Sequence, residues 1–331
     1  GVQVDRMLDG VHSFHSAGVA DLNRRTTIQP DSRFRIASTT KAFVAALTLV
    51  LVDEGALDLD DTLDHWLPGI AGDSGVDASA IRLRDLLGHR SGIANHVDEL
   101  TAELAQAESP GAFMQLLQRH WTPRELVEQA FARGPQAQPG RVFGYSDTNY
   151  VLIGMIIEAA TGESWQRQLP ARVLEPLALS HTFIPGAELG LSGTHMHGYA
   201  ELPFARGYRD VTALSASALD AAAALVSTPS DVNRFFASLL AGELISSASL
   251  REMTRVLPVS DEPGAPSYGL GIAYTPLGCG GGYYGHPGDT LGFHTRNAVS
   301  VDGARSVCIA LSGDGEFEQA SAALIENVLC D

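Results

Sequence analysis

The sequence predicts an α/β fold of the α+β kind, an antiparallel sheet flanked by helices with an inserted all-helical lobe. Three observations predict it. Alternating apolar and polar residues occupy positions 1–19 and return after Tyr268, helical spacing dominates between them, and 331 residues exceed the usual size of a single core. The sheet domain is expected to be discontinuous, over 1–62 and 213–331, with 63–212 as the mostly helical insertion.

At the start, "GVQVDRMLDGVHSFHSAGV" reads as two strands about an Asp9-Gly10 turn, and "RFRI" (33–36) as a short strand. From Ser38 the period becomes helical, with Phe43, Leu47 and Val50 on one stripe, Ala46, Leu49 and Leu57 near it, and Gly55 as C-cap. The apolar run from Ala42 to Val52 is too short to cross a bilayer and reads as a buried helix. Segments 58–67, 82–88, 123–132 and 147–161 read as helices, and 184–210 as a connection with little periodicity. "PSDVNRFFASLLAGEL" (229–244) is a capped amphipathic helix. "YGLGIAY", "GYYGHPG", "GFHTRNAVSV" and "ARSVCIALSG" read as strands, the last two joined at Asp302-Gly303, before a final helix over 316–329.

A formal net charge of −17 argues against nucleic acid and anionic membranes as partners, which both need basic patches. No run has the length of a membrane span, so stable insertion is not expected, and a monomer is. The chain opens directly in a strand, which points to further residues upstream.

One residue stands out: Lys41 is the sole lysine, every other strong base being arginine. In "STTK" it lies three residues after Ser38 at a helix start, on the same face. A serine needs a base to attack at neutral pH, and a deprotonated amine serves where a guanidinium never does. Burial, the helix N-terminus and the lack of a carboxylate partner are the effects expected to lower its pKa. The triplet by itself is common, and Ser38 alone is a good N-cap.

Two further stretches accompany it: "FGYSDTNYVLIGMIIEAATG", with Tyr145 before an apolar helix, and "YYGHPGDTLGFH", with His286-Pro287-Gly288 on a late strand. With "RFRIASTTK", "LRDLLGHRSGI", "LVDEGALDLDDTLDHWLPG", "GTHMHGY" and "YGLGI", they make the chain resemble the penicillin-recognising serine enzymes along nearly its whole length. That family includes DD-peptidases, class C β-lactamases and esterase and D-aminopeptidase relatives. The resemblance is nearest to the secreted bacterial D-alanyl-D-alanine carboxypeptidase type, with its S-x-x-K, Y-x-N and H-x-G triplets.

The resemblance implies a DD-peptidase/β-lactamase-like fold and a Ser38 acyl-enzyme, formed on D-amino-acid-containing peptides or amides or on β-lactams, with no cofactor. Lys41 and Tyr145 would share proton transfer. The backbone N–H groups of Ser38 and Asp289 would form the oxyanion hole beside Gly288, and His286 would stand for the family's basic residue. It also implies a Cys279–Cys330 disulfide and export from the cell, whereas Cys308, in an apolar strand, reads as a buried free thiol.

This sequence departs from that pattern twice. The second triplet ends in Asp147, not asparagine, and an ionised carboxylate near Lys41 would raise the amine's pKa. Either Asp147 turns away, or it is protonated, or Tyr145 carries more of the base role. In the third motif Pro287 and Asp289 replace hydroxyl residues, and Ala273 stands where an arginine is expected. A negative Asp289 would repel a substrate carboxylate, so an amide, ester, amine-bearing peptide or internal peptide bond is the expected substrate rather than a free C-terminal acid. A biosynthetic acyltransferase or peptide cyclase or an esterase on the same fold, and a penicillin-binding module without turnover, are the alternatives.

The remaining signals read as structure. "GGGYYG" (280–285) matches G-x-G-x-x-G but leads into a strand, so it is a tight turn rather than a nucleotide loop. His195 and His197 lack an accompanying carboxylate cluster and read as structural or substrate-contacting rather than metal ligands. His12, His15, His65, His89 and His294 read as solvated or satisfied in the fold, and Phe113 and Trp121 as core or cleft lining.

Overall fold

The two ends of the chain meet in one sheet. The structure, a computed structural model, describes residues 1–8, 11–202, 206–262 and 264–330. Val2–Leu8 pairs antiparallel with Arg305–Ser312, from Val2 opposite Leu311 to Leu8 opposite Arg305. Its other edge takes Val11–Ala17; the Asp9-Gly10 turn expected between them lies outside the described residues. Beyond Arg305–Ser312 the sheet continues through Phe293–Ser300, Gly282–Gly285, Ala273–Pro276, Ser267–Tyr268 and Leu257–Pro258. Gly288–Thr290 also pairs with Phe293–Ser300, opposite Phe293–Thr295.

The strand Arg305–Ser312 shows why "VCIAL" is apolar at every position. Cys308 and Ala310 face one core, which includes Phe43, Phe235 and Phe236, while Val307 and Ile309 face a second with Ile325 and Val328. Both faces are covered, so the alternation of a half-exposed strand disappears. Pro229–Leu240 covers the first face, capped by the Thr228 hydroxyl, and Glu318–Cys330 covers the second. A disulfide joins Cys330 to Cys279, and Cys308 is a buried free thiol.

Two helices, Thr40–Asp53 and Thr148–Thr161, lie in the larger core and pack together. The first is buried from Thr40 to Leu49, all round rather than along one stripe, which makes it a central scaffold. Phe43 stacks on Phe235 with ring centroids 3.7 Å apart.

The structure differs from the sequence reading in several places. "YGLGIAY" is not one strand: it breaks between Ser267–Tyr268 and Ala273–Pro276, because Gly271 adopts φ +74° against Ala45 and Tyr150. The 58–67 segment contains only one helical turn, Leu63–Trp66, started by the Thr62 hydroxyl. Val97–Ala105, Pro110–Gln118, Trp165–Leu169 and Ser247–Met253 are helices with no counterpart in that reading. The first two bury little: none of 97–105 and only Phe113 of 110–118 is buried, since their apolar sides face a cavity. Within 184–210, Tyr199–Glu201 pairs with Tyr208–Asp210, and residues 203–205 lie outside the described residues.

Candidate active site

Ser38 sits on a single 3-10 turn, Ala37–Thr39, that feeds the helix Thr40–Asp53. Ala37, fully buried, takes φ +48°, a left-handed conformation that a non-glycine residue holds only when its surroundings impose it. The imposing contacts are polar. Thr295 Oγ1 donates to Ile36 O at 3.2 Å, Thr39 Oγ1 donates to His286 O at 2.8 Å, and Asn297 Nδ2 donates to that same carbonyl at 2.7 Å. Asn297 Oδ1 accepts from His286 N at 2.9 Å. Thr39, Thr295 and Asn297 thus tie the serine turn to the His286-Pro287-Gly288 segment. Sequence reasoning missed them; for Thr295 and Asn297 the signal available was that they alternate in register with Phe293 and Val299, on the buried side of the strand.

Gly288 explains its own identity. A Cβ there would lie 2.1 Å from Ile36 O and 3.1 Å from Ser38 N. Only glycine lets the Gly288–Thr290 edge run against the serine turn, bringing the Asp289 backbone alongside Ser38.

Lys41 is completely buried, and each of its three N–H donors has an acceptor. Nζ donates to Ser38 Oγ at 3.0 Å, to Ala222 O at 3.0 Å and to the Asp147 carboxylate, with which it forms an ion pair. Burial pulls its pKa down, but Asp147 and Tyr145 outweigh that, and the net shift is upward. For Asp147, burial pushes up while Lys41, His96 and Asn95 pull down, and the net shift is downward. Both partners are therefore charged at neutral pH. This corrects two expectations: Lys41 has a carboxylate partner, and Asp147 is neither turned away nor protonated. The cause is the helix start at Thr148, which aims residue 147 at the end of the buried lysine.

Tyr145 presents its ring to Lys41 with Nζ 4.8 Å from the centroid, and its hydroxyl interacts with both Lys41 and Ser38. Tyr145 is 40% exposed as a residue, but desolvation around its hydroxyl raises the phenol pKa more than Lys41 lowers it, so it rests neutral. Behind it lies His89, whose ring centroid is 4.2 Å from that of Tyr145. Nδ1 of His89 accepts from Ser146 N at 3.3 Å and from Asn149 Nδ2 at 3.1 Å, so the proton belongs on Nε2, a buried atom with no partner. Burial holds this imidazole neutral, pulling its pKa well down. His89 is thus neither solvated nor fully satisfied; it is packed behind the Tyr145-Ser146-Asp147 turn.

His286 is also neutral. Burial lowers its pKa to about 3, Nδ1–H donates to Pro287 O at 2.7 Å, and Nε2 accepts from Tyr268 Oη at 2.8 Å. The expectation of a basic residue here is corrected: both ring nitrogens are occupied, and the desolvated ring carries no charge. Pro287 is exposed at the turn. The Asp289 carboxylate meets His294 Nδ1 at 2.6 Å and Arg296 Nη2 at 3.0 Å; burial pushes its pKa up, these partners pull it further down, and it is ionised. Arg296, unnoticed in the sequence, is shared with Glu318, so its charge is already committed on both sides.

Ser38, Asp147 and Asp289 open onto a cavity of about 490 Å³ whose walls are mostly apolar, among them Leu100, Leu104, Phe113, Leu117, Trp121 and Leu219. His195 and His197 lie elsewhere, their rings stacked, with His197 Nδ1 2.7 Å from Asp210.

A serine hydroxyl held by a buried lysine, facing a cleft between an edge strand and helices, defines an acyl-transferring serine hydrolase. Residues 8–328 match the Beta-lactamase family, and the chain belongs to it. Its fold is similar to a D-stereospecific amidohydrolase from Streptomyces sp., at 32% identity over 98% of this chain and 93% of that one, with a TM-score of 0.89. It is also similar to the D-amino acid amidase of Ochrobactrum anthropi SV3 complexed with D-phenylalanine, at 26% identity over 99% and 92%, with a TM-score of 0.84. Penicillin-binding protein 4* of Bacillus subtilis (strain 168) is 25% identical over 95% of this chain and 69% of its own length. The putative penicillin-binding protein PbpX of the same strain is 27% identical over 88% of this chain, which spans 65% of that relative's length. No helix among the described residues is long and apolar enough to cross a membrane.

Proposed function

We propose that this serine hydrolase cleaves the amide of D-amino acids with bulky apolar side chains through a Ser38 acyl-enzyme. The observation that carries this reading is the cavity: the space beside Ser38 is apolar enough to bury an aromatic or branched side chain. The amide preference is supported by Asp289, an ionised carboxylate lining the cavity that would repel a substrate carboxylate, and by Arg296 being committed to Asp289 and Glu318. The preference for D-residues is supported by the two amide-cleaving neighbours.

The charge states set the proton path. Lys41 rests as an ammonium, so Tyr145 acts as a shuttle. As Ser38 Oγ bonds to the amide carbon, its proton passes to Tyr145 Oη, and the Tyr145 proton passes to the leaving nitrogen, releasing ammonia. Water then attacks the ester, giving a proton to Tyr145 while Tyr145 returns one to Ser38 Oγ. Lys41 stabilises the phenolate character that develops on Tyr145, and Asp147 keeps Lys41 charged. The N–H groups of Ser38 and Asp289 receive the oxyanion. The Cys279–Cys330 disulfide supports an exported enzyme.

The Lys41–Asp147 pair also favours a second reading, acylation with slow turnover, as in a penicillin-binding module. Intact-mass analysis separates the two, using D-phenylalanine amide, N-acyl-D-Ala-D-Ala and a penicillin on wild type and Ser38→Ala. Ammonia release from D-phenylalanine amide without a lasting adduct, lost in Ser38→Ala, is the expected result. Persistent adducts without turnover would establish the second reading, and faster cleavage of the free acid than of the amide would overturn the substrate assignment.

A further inference from the structure

Behind the cavity lining, between Leu219 and Ala222, lies a buried carboxyl that the proposed mechanism does not use. Asp220 is 6% exposed and holds φ +38°, a left-handed backbone that costs a non-glycine residue energy. No cation lies within ion-pair distance of it among the described residues. Oδ1 instead accepts from Trp165 Nε1 at 2.9 Å and Gln166 Nε2 at 3.2 Å. The neighbouring helix makes room for this clamp: a Cβ at Gly154 would lie 2.9 Å from Trp165 Cδ1 and 3.2 Å from Ala221 Cβ.

What the clamp holds is the short helix Asp220–Ala223. Two residues beyond Asp220, the Ala222 carbonyl accepts from Lys41 Nζ, and Ala222 and Ala223 line the cavity beside Ser38. We propose that Asp220 is a positioning residue: by anchoring Asp220–Ala223 to Trp165 it sets the Ala222 carbonyl and hence the place of the Lys41 ammonium. The inference rests on the reading of Ser38 and Lys41 as the reacting centre.

The same clamp responds to pH. Burial raises the Asp220 carboxyl to about 6, and Glu158, on the helix Thr148–Thr161, pushes in the same direction. Lys41, on Thr40–Asp53, is the charged group that reaches this short helix from that side, and the Trp165 and Gln166 donors do not titrate. Above this pKa the carboxylate holds both donors, and below it the clamp weakens.

The test compares wild type with Asp220→Asn, which keeps the shape, and Asp220→Gly, which relieves the φ but removes the clamp. The three tryptophans give separate indole N–H signals by NMR, and Trp165→Phe identifies that of Trp165. In wild type the Trp165 signal is expected to move with a midpoint near 6 and kcat for D-phenylalanine amide to fall across the same range; in Asp220→Asn the signal stays flat. A small displacement of a reacting group costs about ten- to a hundredfold in rate, so both variants are expected to lose that much kcat, with KM changed by less than about twofold. Wild-type kcat and pH profile in Asp220→Asn, or a Trp165 signal that does not titrate, would overturn the proposal. Ser38→Ala that keeps its activity would instead overturn the reading beneath it, leaving the indole titration to stand or fall alone.

Discussion

Replacing Asp147 with asparagine decides which group moves the proton. The carboxylate is the ion-pair partner of a fully buried ammonium, and it offsets the downward pull of burial on Lys41. The asparagine amide oxygen still accepts a hydrogen bond but has no charge. Losing an opposite charge in direct contact moves a pKa by about one to three units, here downward, since burial then acts with less opposition. That is about 1.4 to 4 kcal/mol of ammonium stabilisation. If Lys41 works as a cation beside Tyr145, the alkaline limb of the kcat profile moves to lower pH by that interval, and kcat falls in the range where the lysine has become neutral. Breaking a buried pair costs about 3–5 kcal/mol when the remaining charge persists, and deprotonation caps the loss. Urea unfolding at acid and alkaline pH should therefore show the larger destabilisation at acid pH, where Lys41 stays charged. The assay is ammonia release from D-phenylalanine amide over the pH range in which both proteins stay folded. A rise in kcat near neutrality would refute the reasoning, because it would mean that a neutral Lys41 is the base and that Asp147 restrains it.

Three other outcomes follow from the geometry. Gly288→Ala places a methyl 2.1 Å from Ile36 O and should cost at least about a hundredfold in kcat/KM while leaving the fold intact, as read by circular dichroism. Leu104→Trp fills the cavity and should lower kcat/KM for D-phenylalanine amide about tenfold or more, with a smaller effect on D-alanine amide; equal losses would argue against that cavity as the side-chain site. Reducing the Cys279–Cys330 bond, which closes 51 residues of chain, should lower stability by about 2–4 kcal/mol in urea, with little change in kcat at low temperature.

The strands at the chain ends were legible because alternation and continuous apolar runs report how many faces a strand buries, and Arg305–Ser312 buries two. The central helix was legible for the same reason. The helices Val97–Ala105 and Pro110–Gln118 were not: their apolar side chains line a cavity, so helical spacing competes with polar residues at positions that a core would exclude. The break after Tyr268 was hidden because Gly271 reads as a weak strand residue until Ala45 and Tyr150 are seen pressing on it. In the candidate site, residue types were readable but charge states were not. Whether Asp147 faces Lys41 depends on where a helix starts, and whether His286 is charged depends on Tyr268 and Pro287 occupying its ring nitrogens.

The strained residues show how the chain keeps one lysine in place. Among the described residues, five non-glycine positions have positive φ, and three of them, Ala37, His89 and Asp220, adjoin the segments whose groups contact Lys41. Ala37 precedes the serine, His89 backs the Tyr145-Ser146-Asp147 turn, and Asp220 opens the segment that ends in the Ala222 carbonyl. Each therefore sets one of the groups around the ammonium: Ser38 Oγ, the Asp147 carboxylate and Ala222 O. Backbone strain of about 1–3 kcal/mol per residue persists only where surrounding contacts over-determine it. Here those contacts converge on a compact cation with three donors, matched one to one. An arginine, with five donors spread over a planar fork, could not meet these acceptors from a single nitrogen. A chain that uses arginine everywhere else keeps lysine here because this cage is built for an ammonium.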